Sequence, residues 1–316
     1  MSRTIIFWLA CVCLLSSGNA LFAQKLVNLY VTVQNERAQL IKGMKAENFR
    51  VFEDNKPKEI KLFSSESEPA SVAFIFDLSH SVTHNETDDS KSRMRWFRKS
   101  AVDFLQLSRA DNEYTLISFG ETALELADGV NRDKATAVIN NDSEFVRPKK
   151  DNSTPLFNTI KFAIEKLQKS KNERRILIVM SDGLDNASTQ NAKNDVDLMI
   201  RSSLIPIYML LAYDPSARDQ NLAATGRPRI ASVADDSGGK SFGAMSETDA
   251  RNVMMRVATM IENQYRLGFA PEPITTEGKA RKLEVKLEIS KTDKESIQWP
   301  SILYCKKYLP SPVKSN

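Results

Sequence analysis

Three continuous apolar runs mark the middle of the chain: Val72 to Phe76, Ile176 to Met180 and Ile205 to Leu211. Apolar residues at every position, rather than every second one, predict strands buried on both faces. Between the runs the spacing changes to that of helices. Met94, Phe97, Ala101 and Phe104 form one apolar stripe, and Leu156, Ile160, Ile164 and Leu167 form a second, on a helix whose expected first residue is Pro155, preceded by Thr154. Ser246 and Asp249 resemble a capping box ahead of a last helix carrying Val253, Val257 and Ile261. A further strand is predicted at 114–119, followed by a polar edge segment, TALELAD. Buried strands alternating with helices predict a doubly wound, mostly parallel α/β sheet over residues 70–263.

The flanks carry a different pattern. Residues 26–33, 49–54 and 59–65 are short, rich in β-branched and aromatic residues, and separated by polar turns. Near the other end, Leu283, Val285, Leu287 and Ile289 alternate strictly with Glu284, Lys286 and Glu288, which predicts a half-buried antiparallel strand. Strand character also marks QYRLGFAP and SILYCKKYL. Neither flank holds enough strands for a stable sandwich, so the expectation is one small β domain built from 24–69 and 264–316 together. No internal repeat is evident.

Composition narrows the function classes. The 316 residues include 44 Lys plus Arg against 40 Asp plus Glu, and the two signs are interspersed rather than blocked. No nucleic-acid or membrane-surface footprint follows from that. The start, MSRTIIFWLACVCLLSSGNALFAQ, has Arg3, an apolar stretch from Ile5 to Leu15 and small residues at Ala20 and Ala23. It reads as a signal peptide over 1–23, hence export to the periplasm or the extracellular space, with no membrane span after cleavage. The rival, an uncleaved anchor, needs a longer apolar run. Of the three cysteines, Cys305 alone lies outside that segment, so core packing or a bound metal has to supply stability instead of an internal disulfide.

The candidate chemistry sits at strand ends. The first apolar run leads into Asp77, Ser79 and Ser81, and the run Ile176 to Met180 leads into Ser181, Asp182 and Gly183. Ligands of open α/β sheets bind outside the carboxyl ends of the strands, so Asp77 and Asp182 converge if their strands are neighbours. Thr154, at the start of a helix, has a hydroxyl within reach of the same place. Carboxylates and hydroxyls are hard oxygen donors suited to a small divalent cation. Each residue also has an ordinary reading: Ser79, Ser81 and Thr154 as loop or cap residues, Asp182-Gly183 as a hairpin turn. Asp185 fits an acid that supports the ligands from behind, but such a residue is more often simply solvated, and it is left out of the candidate set.

DLSHS, then Thr154, then Asp182 resembles the metal-ion-dependent adhesion site of the von Willebrand factor type A family, whose pattern is Asp-x-Ser-x-Ser, Thr, Asp. The phrases VTVQNERAQLIKGMKAENFRVFEDNKPKEIKLFSSESEP, STPLFNTI, VMSDGLDNAS and QYRLGFAP are similar to the bacterial secreted members of that group. The resemblance implies a Rossmann-like module in which Asp77, Ser79, Ser81, Thr154 and Asp182 hold Mg²⁺ or Mn²⁺ directly or through water. It also implies a protein partner that presents an Asp or Glu to the ion, with binding rather than catalysis as the output. His80 departs from the family pattern, which usually has glycine between the two serines; glycine permits backbone conformations that cost a histidine more.

Rival functions stay open beside this reading. His80 and His84 are four apart, near Glu86, Asp88 and Asp89, but a zinc site there lacks an HExxH motif or a cysteine pair. A metal-dependent hydrolase would use the same oxygen donors; no Gly-x-Ser-x-Gly elbow accompanies them. A structural envelope protein would leave the site empty because of His80.

Overall fold

The computed structural model describes residues 26–79, 82, 92–145, 153–213, 228–273, 278–289 and 300–310. The signal-peptide expectation, Ser81, His80, His84 and the acids at 86, 88 and 89 lie outside these. At the centre is a mostly parallel sheet. In chain order its strands are β5 (Ala70–Asp77), β6 (Glu113–Phe119), β7 (Ala123–Val130), β8 (Arg174–Ser181), β9 (Ile207–Ala212) and β10 (Lys240–Ala244). Their spatial order is β10-β9-β8-β5-β6-β7, with every pairing parallel except the antiparallel edge pair β6–β7. The polar segment TALELAD is therefore an edge strand, where an alternation of exposed and half-buried residues is tolerated.

All eight residues of β5 are buried, because helices cover both faces of the sheet. On one side α1 (Arg93–Leu107), α2 (Arg132–Asn140) and α6 (Glu247–Glu262) pack Phe97, Phe104, Ile139, Met254 and Val257 against Phe74 and Phe76. On the other, α3 (Leu156–Gln168), α4 (Ala192–Ser203) and a helix, α5, at residues 228–237 pack Ile160, Ile164, Val196 and Val233 against Ala73 and Ile75. The expected cap holds: Ser246 Oγ accepts from Asp249 N, 3.1 Å, while Asp249 Oδ2 accepts from Met245 N, 3.2 Å. Two elements have no apolar run to announce them. Helix α2 rests on an Asn131 cap and two buried residues, and β10 is a half-buried edge strand.

The flanking strands form two antiparallel sheets, β13-β1-β11-β4 and β14-β12-β2-β3, each mixing strands from both ends of the chain. They are β1 (Val27–Gln34), β2 (Phe49–Glu53), β3 (Lys56–Lys58), β4 (Ile60–Ser64), β11 (Tyr265–Phe269), β12 (Arg281–Leu287), β13 (Ser301–Leu303) and β14 (Lys307–Tyr308). The alternating strand β12 pairs with β2, and its Leu283 and Val285 point into a core with Leu29, Phe49, Val51 and Leu267. Cys305 is buried nearby; burial pushes its thiol up to about 11, away from the reactive thiolate.

Arg174, 3 % exposed at the start of β8, ties this β module to the central sheet. Its guanidinium donates to Glu68 O (2.8 Å), Ser67 Oγ (3.2 Å), Gln264 Oε1 (3.1 Å) and Ile261 O, and lies 5.3 Å from the centre of the Tyr30 ring. A planar fork serves several acceptors at once, which an ammonium group cannot do from the same position. Arg174→Lys should therefore lower unfolding free energy by about 1–3 kcal/mol, the cost of leaving buried acceptors unpaired. Urea denaturation checks it; a loss under about 0.5 kcal/mol, as at ordinary surface positions, would reject this role.

Candidate metal centre

The sheet order changes direction between β8 and β5: from β5 the chain moves out to β6 and β7, then returns to β8 and continues through β9 and β10 on the other side. That makes the carboxyl ends of β5 and β8 the switch point, where a crevice opens in sheets of this kind. Register places Phe76 opposite Met180, so the next residues along, Asp77 and Ser181, are adjacent. Asp77 and Asp182 are both fully buried.

Local hydrogen bonds hold this edge in place. Asp77 Oδ2 accepts from Ser181 Oγ at 2.5 Å, and Asp77 Oδ1 accepts from the backbone N–H of Ser79 at 2.8 Å. Leu78 N donates to Phe119 O (2.7 Å) and Val82 N to Ser79 O (3.1 Å), which turns the chain just after the strand. After β8, Gly183 has φ +83°, a conformation glycine adopts without the steric cost of a Cβ. The backbone N–H groups of Gly183 and Leu184 return to Ser181 Oγ and Asp182 Oδ1, at 3.0 and 3.1 Å. The Asp182-Gly183 pair thus opens a loop rather than a hairpin.

Thr154, 4 % exposed, is drawn to this loop through Asn186. Thr154 N donates to Asn186 Oδ1 at 2.7 Å, and Asn186 N donates to Thr154 O at 3.2 Å. Pro155 is the N-cap of α3, one position before the helical start expected for it, and offers no side-chain bond. The free N–H groups of the first turn are instead taken by the loop after β8: Phe157 N donates to Asp185 Oδ2 (2.8 Å) and Asn158 N to Ser188 Oγ (3.1 Å). Asp185 is therefore a cap across two loops, not a solvated acid, and Thr154 is left with its backbone fixed and its hydroxyl outside the capping role. Sequence reading missed Ser181, Asn186 and Ser188. The signal for them was the unusually polar stretch SDGLDNAS directly after a buried strand.

Electrostatics follow from burial. Burial first, and the neighbouring Asp182 carboxylate second, push Asp77 up to about 7 in spite of the hydrogen bonds from Ser181 and Ser79. Arg93, 7 % exposed at the start of α1, has its guanidinium 4.0 Å from Asp182 Oδ2. With both carboxylates ionised, they and the one guanidinium carry a formal charge of −1, which a cation would relieve. Asp77, Asp182, Ser79 and Thr154 carry carboxylate and hydroxyl oxygens, hard donors of the kind small divalent cations take. Among the described residues no group of three or more His, Cys, Asp or Glu side chains is placed to hold a metal. Ser81 lies outside the described residues.

Residues 72–184 match the family model of the von Willebrand factor type A domain. No curated protein matches the chain. Solved structures similar to it include proximal thread matrix protein 1 of the mussel byssus, 12% identical over 62% of this chain and 49% of that one, with a TM-score of 0.48. A second structure of that protein, with a zinc-occupied MIDAS motif, has a TM-score of 0.44 at 12% identity, covering 62% and 48% of the two chains. The PilB minor pilin from Streptococcus sanguinis is 13% identical over 62% of each chain, with a TM-score of 0.49. The chain thus spans about half of the first protein and about three fifths of the pilin.

Proposed function

We propose that the von Willebrand factor type A domain this chain carries is an exported protein-recognition module, whose output is binding rather than catalysis. Asp77, Ser79, Ser81, Thr154 and Asp182 would hold Mg²⁺ or Mn²⁺. The observation that carries this is the pair of fully buried carboxylates, Asp77 and Asp182, at the ends of neighbouring parallel strands. When bound, the cation supplies positive charge and an open position for a carboxylate from a protein partner. Ser181 and the N–H of Ser79 orient Asp77, while Asn186 keeps the Thr154 loop against the Asp182 loop. Neutral hydroxyls complete the donor set without cancelling the ion's charge, so the field that attracts an Asp or Glu is kept.

The division into a signal peptide (1–23), flanking β segments (24–69 and 264–316) and the central domain (70–263) belongs to the same proposal. So does a periplasmic or extracellular location. Among the described residues no helix is long and apolar enough to cross a membrane.

Thermal melts of the mature protein in chelator and then in Mg²⁺, Mn²⁺, Ca²⁺ or Zn²⁺ test the metal. An ion bound only by the folded state raises the melting temperature, by about 2.7 kcal/mol of stabilisation at a hundred times its dissociation constant. The expected result is a rise with Mg²⁺ or Mn²⁺ that Asp77→Ala abolishes while far-UV circular dichroism stays unchanged. A rise with Zn²⁺ alone, or none at all, rejects the assignment.

A further inference from the structure

A second site lies near the opposite edge of the sheet. Helix α6 follows β10 at its carboxyl edge and runs back until Ile261 O meets Arg174, at the start of β8. There its Arg256, Thr259 and Met260 share one face, being three and four residues apart. That face, the turn after β1 and Leu40 line an open cavity of about 350 Å³. This is at the small end of the roughly 300–1,000 Å³ usual for ligand pockets.

Gln34, the last residue of β1, is fully buried and lines the cavity. Its backbone pairs with Ser301 and Leu40, yet neither Nε2 nor Oε1 of its side chain has a hydrogen-bond partner among the described residues. A buried polar group without a partner is costly to the fold, so a primary amide kept at such a position needs a reason. The Gln34 amide has donors and an acceptor side by side, the complement of another amide.

The rim is cationic. The Arg256 guanidinium is steadied by the Ala38 carbonyl (3.5 Å) and by the Phe242 ring, 5.4 Å from its centre, and Lys42 is exposed beside it. Among the described residues neither cation forms an ion pair with a carboxylate. Thr259 Oγ1 donates to Met255 O, which leaves its oxygen as an acceptor, and Leu40 and Met260 supply apolar wall.

We propose that this cavity binds an N-acylated α-amino acid carboxylate, the chemistry shared by a free acyl amino acid and the carboxyl end of a peptide chain. Arg256 and Lys42 take the carboxylate, Gln34 pairs with the amide, and Leu40 and Met260 cover an aliphatic side chain. No metal is involved, so the site stands or falls apart from the one at Asp77.

The test is isothermal titration of the mature protein, in chelator, with N-acetyl-leucine and with N-acetyl-leucinamide, which lacks the charge. Saturable binding of the acid, weakened about tenfold or more in the amide and in Arg256→Gln, is expected for the loss of one charge-assisted hydrogen bond. Gln34→Leu should also abolish binding; if it fails to fold, Arg256→Gln and the neutral probe still decide. A tripeptide ending in free leucine identifies the source: binding at least as tight as N-acetyl-leucine assigns a peptide end, and exclusion assigns the free acyl amino acid. Equal affinity for acid and amide, no effect of Arg256→Gln, or no saturable binding overturns the proposal.

Discussion

Metal-free protein carrying Asp77→Asn is expected to be more stable than the parent at pH 8, by about 2–4 kcal/mol, and to have lost the parent's response to Mg²⁺ or Mn²⁺. Asp77 is raised to about 7 in the fold, by burial and then by the Asp182 charge, against about 4 in an unfolded chain. A carboxyl whose folded value is raised carries no penalty below its unfolded value. The penalty grows as pH climbs from about 4 to about 7 and is constant above that. The advantage of Asn should therefore be near zero at pH 4 and complete at pH 8. Asparagine keeps an acceptor for the N–H of Ser79, while its NH2 reverses the bond with Ser181 Oγ, a change that does not depend on pH and so cancels between the two pH values. Denaturant titrations in chelator at the two pH values measure this. An advantage independent of pH would mean that the carboxylate pair is not the source of strain. The same charges are what a cation would relieve, so the residue that most weakens the metal-free fold is the one the binding reading needs most.

Glu53→Ala should be the most damaging single change in the β module, with a loss of about 3–5 kcal/mol, the cost of removing one partner of a buried ion pair. Glu53 is fully buried and accepts from Arg281 Nη1 (2.8 Å), Glu272 N (2.8 Å) and the Tyr308 hydroxyl, with Lys58 Nζ at 3.5 Å. Burial opposes its charge, but the bonds from Tyr308, Arg281 and the Glu272 N–H outweigh burial and hold the carboxyl below its ordinary value. Stability from a lowered carboxyl is complete above the unfolded value and is lost as pH falls through the folded one. The parent should accordingly lose stability below about pH 4.5, and Glu53→Gln should flatten that acid limb while lowering the neutral plateau. Urea midpoints between pH 3 and 7 check both parts; an acid limb unchanged in Glu53→Gln would place the loss elsewhere.

How far the amino-acid sequence reached differs from one region to another. The continuous runs at 72–76 and 176–180 were legible as buried strands because no polar residue interrupts them, and β5 and β8 follow. The alternation from Leu283 to Leu287 was legible as a strand with one face inward, since a period of two has no other simple packing solution. Helix α2 and strand β10 were not legible: each buries so little that its pattern is hard to tell from a loop. In the candidate site, Asp77, Ser79, Thr154 and Asp182 stood out by residue type and position. Asp185 was left out of the candidate set because its partners, the first N–H groups of α3, lie about thirty residues away along the chain.

By itself, then, the sequence determined the strongly patterned strands and helices, which of their faces are buried, and that two acids stand at the carboxyl ends of buried strands. Only the tertiary structure decided that β5 and β8 are neighbours, that β1 pairs with β11 across more than two hundred residues, and that Gln34 and Arg256 share a cavity. The physical reason is that hydrophobic periodicity records how much of a residue leaves water, which is nearly the same whatever covers it. Strand pairing, buried charge and unpaired amides depend on the particular groups brought alongside, and those are chosen by the packing of the whole chain.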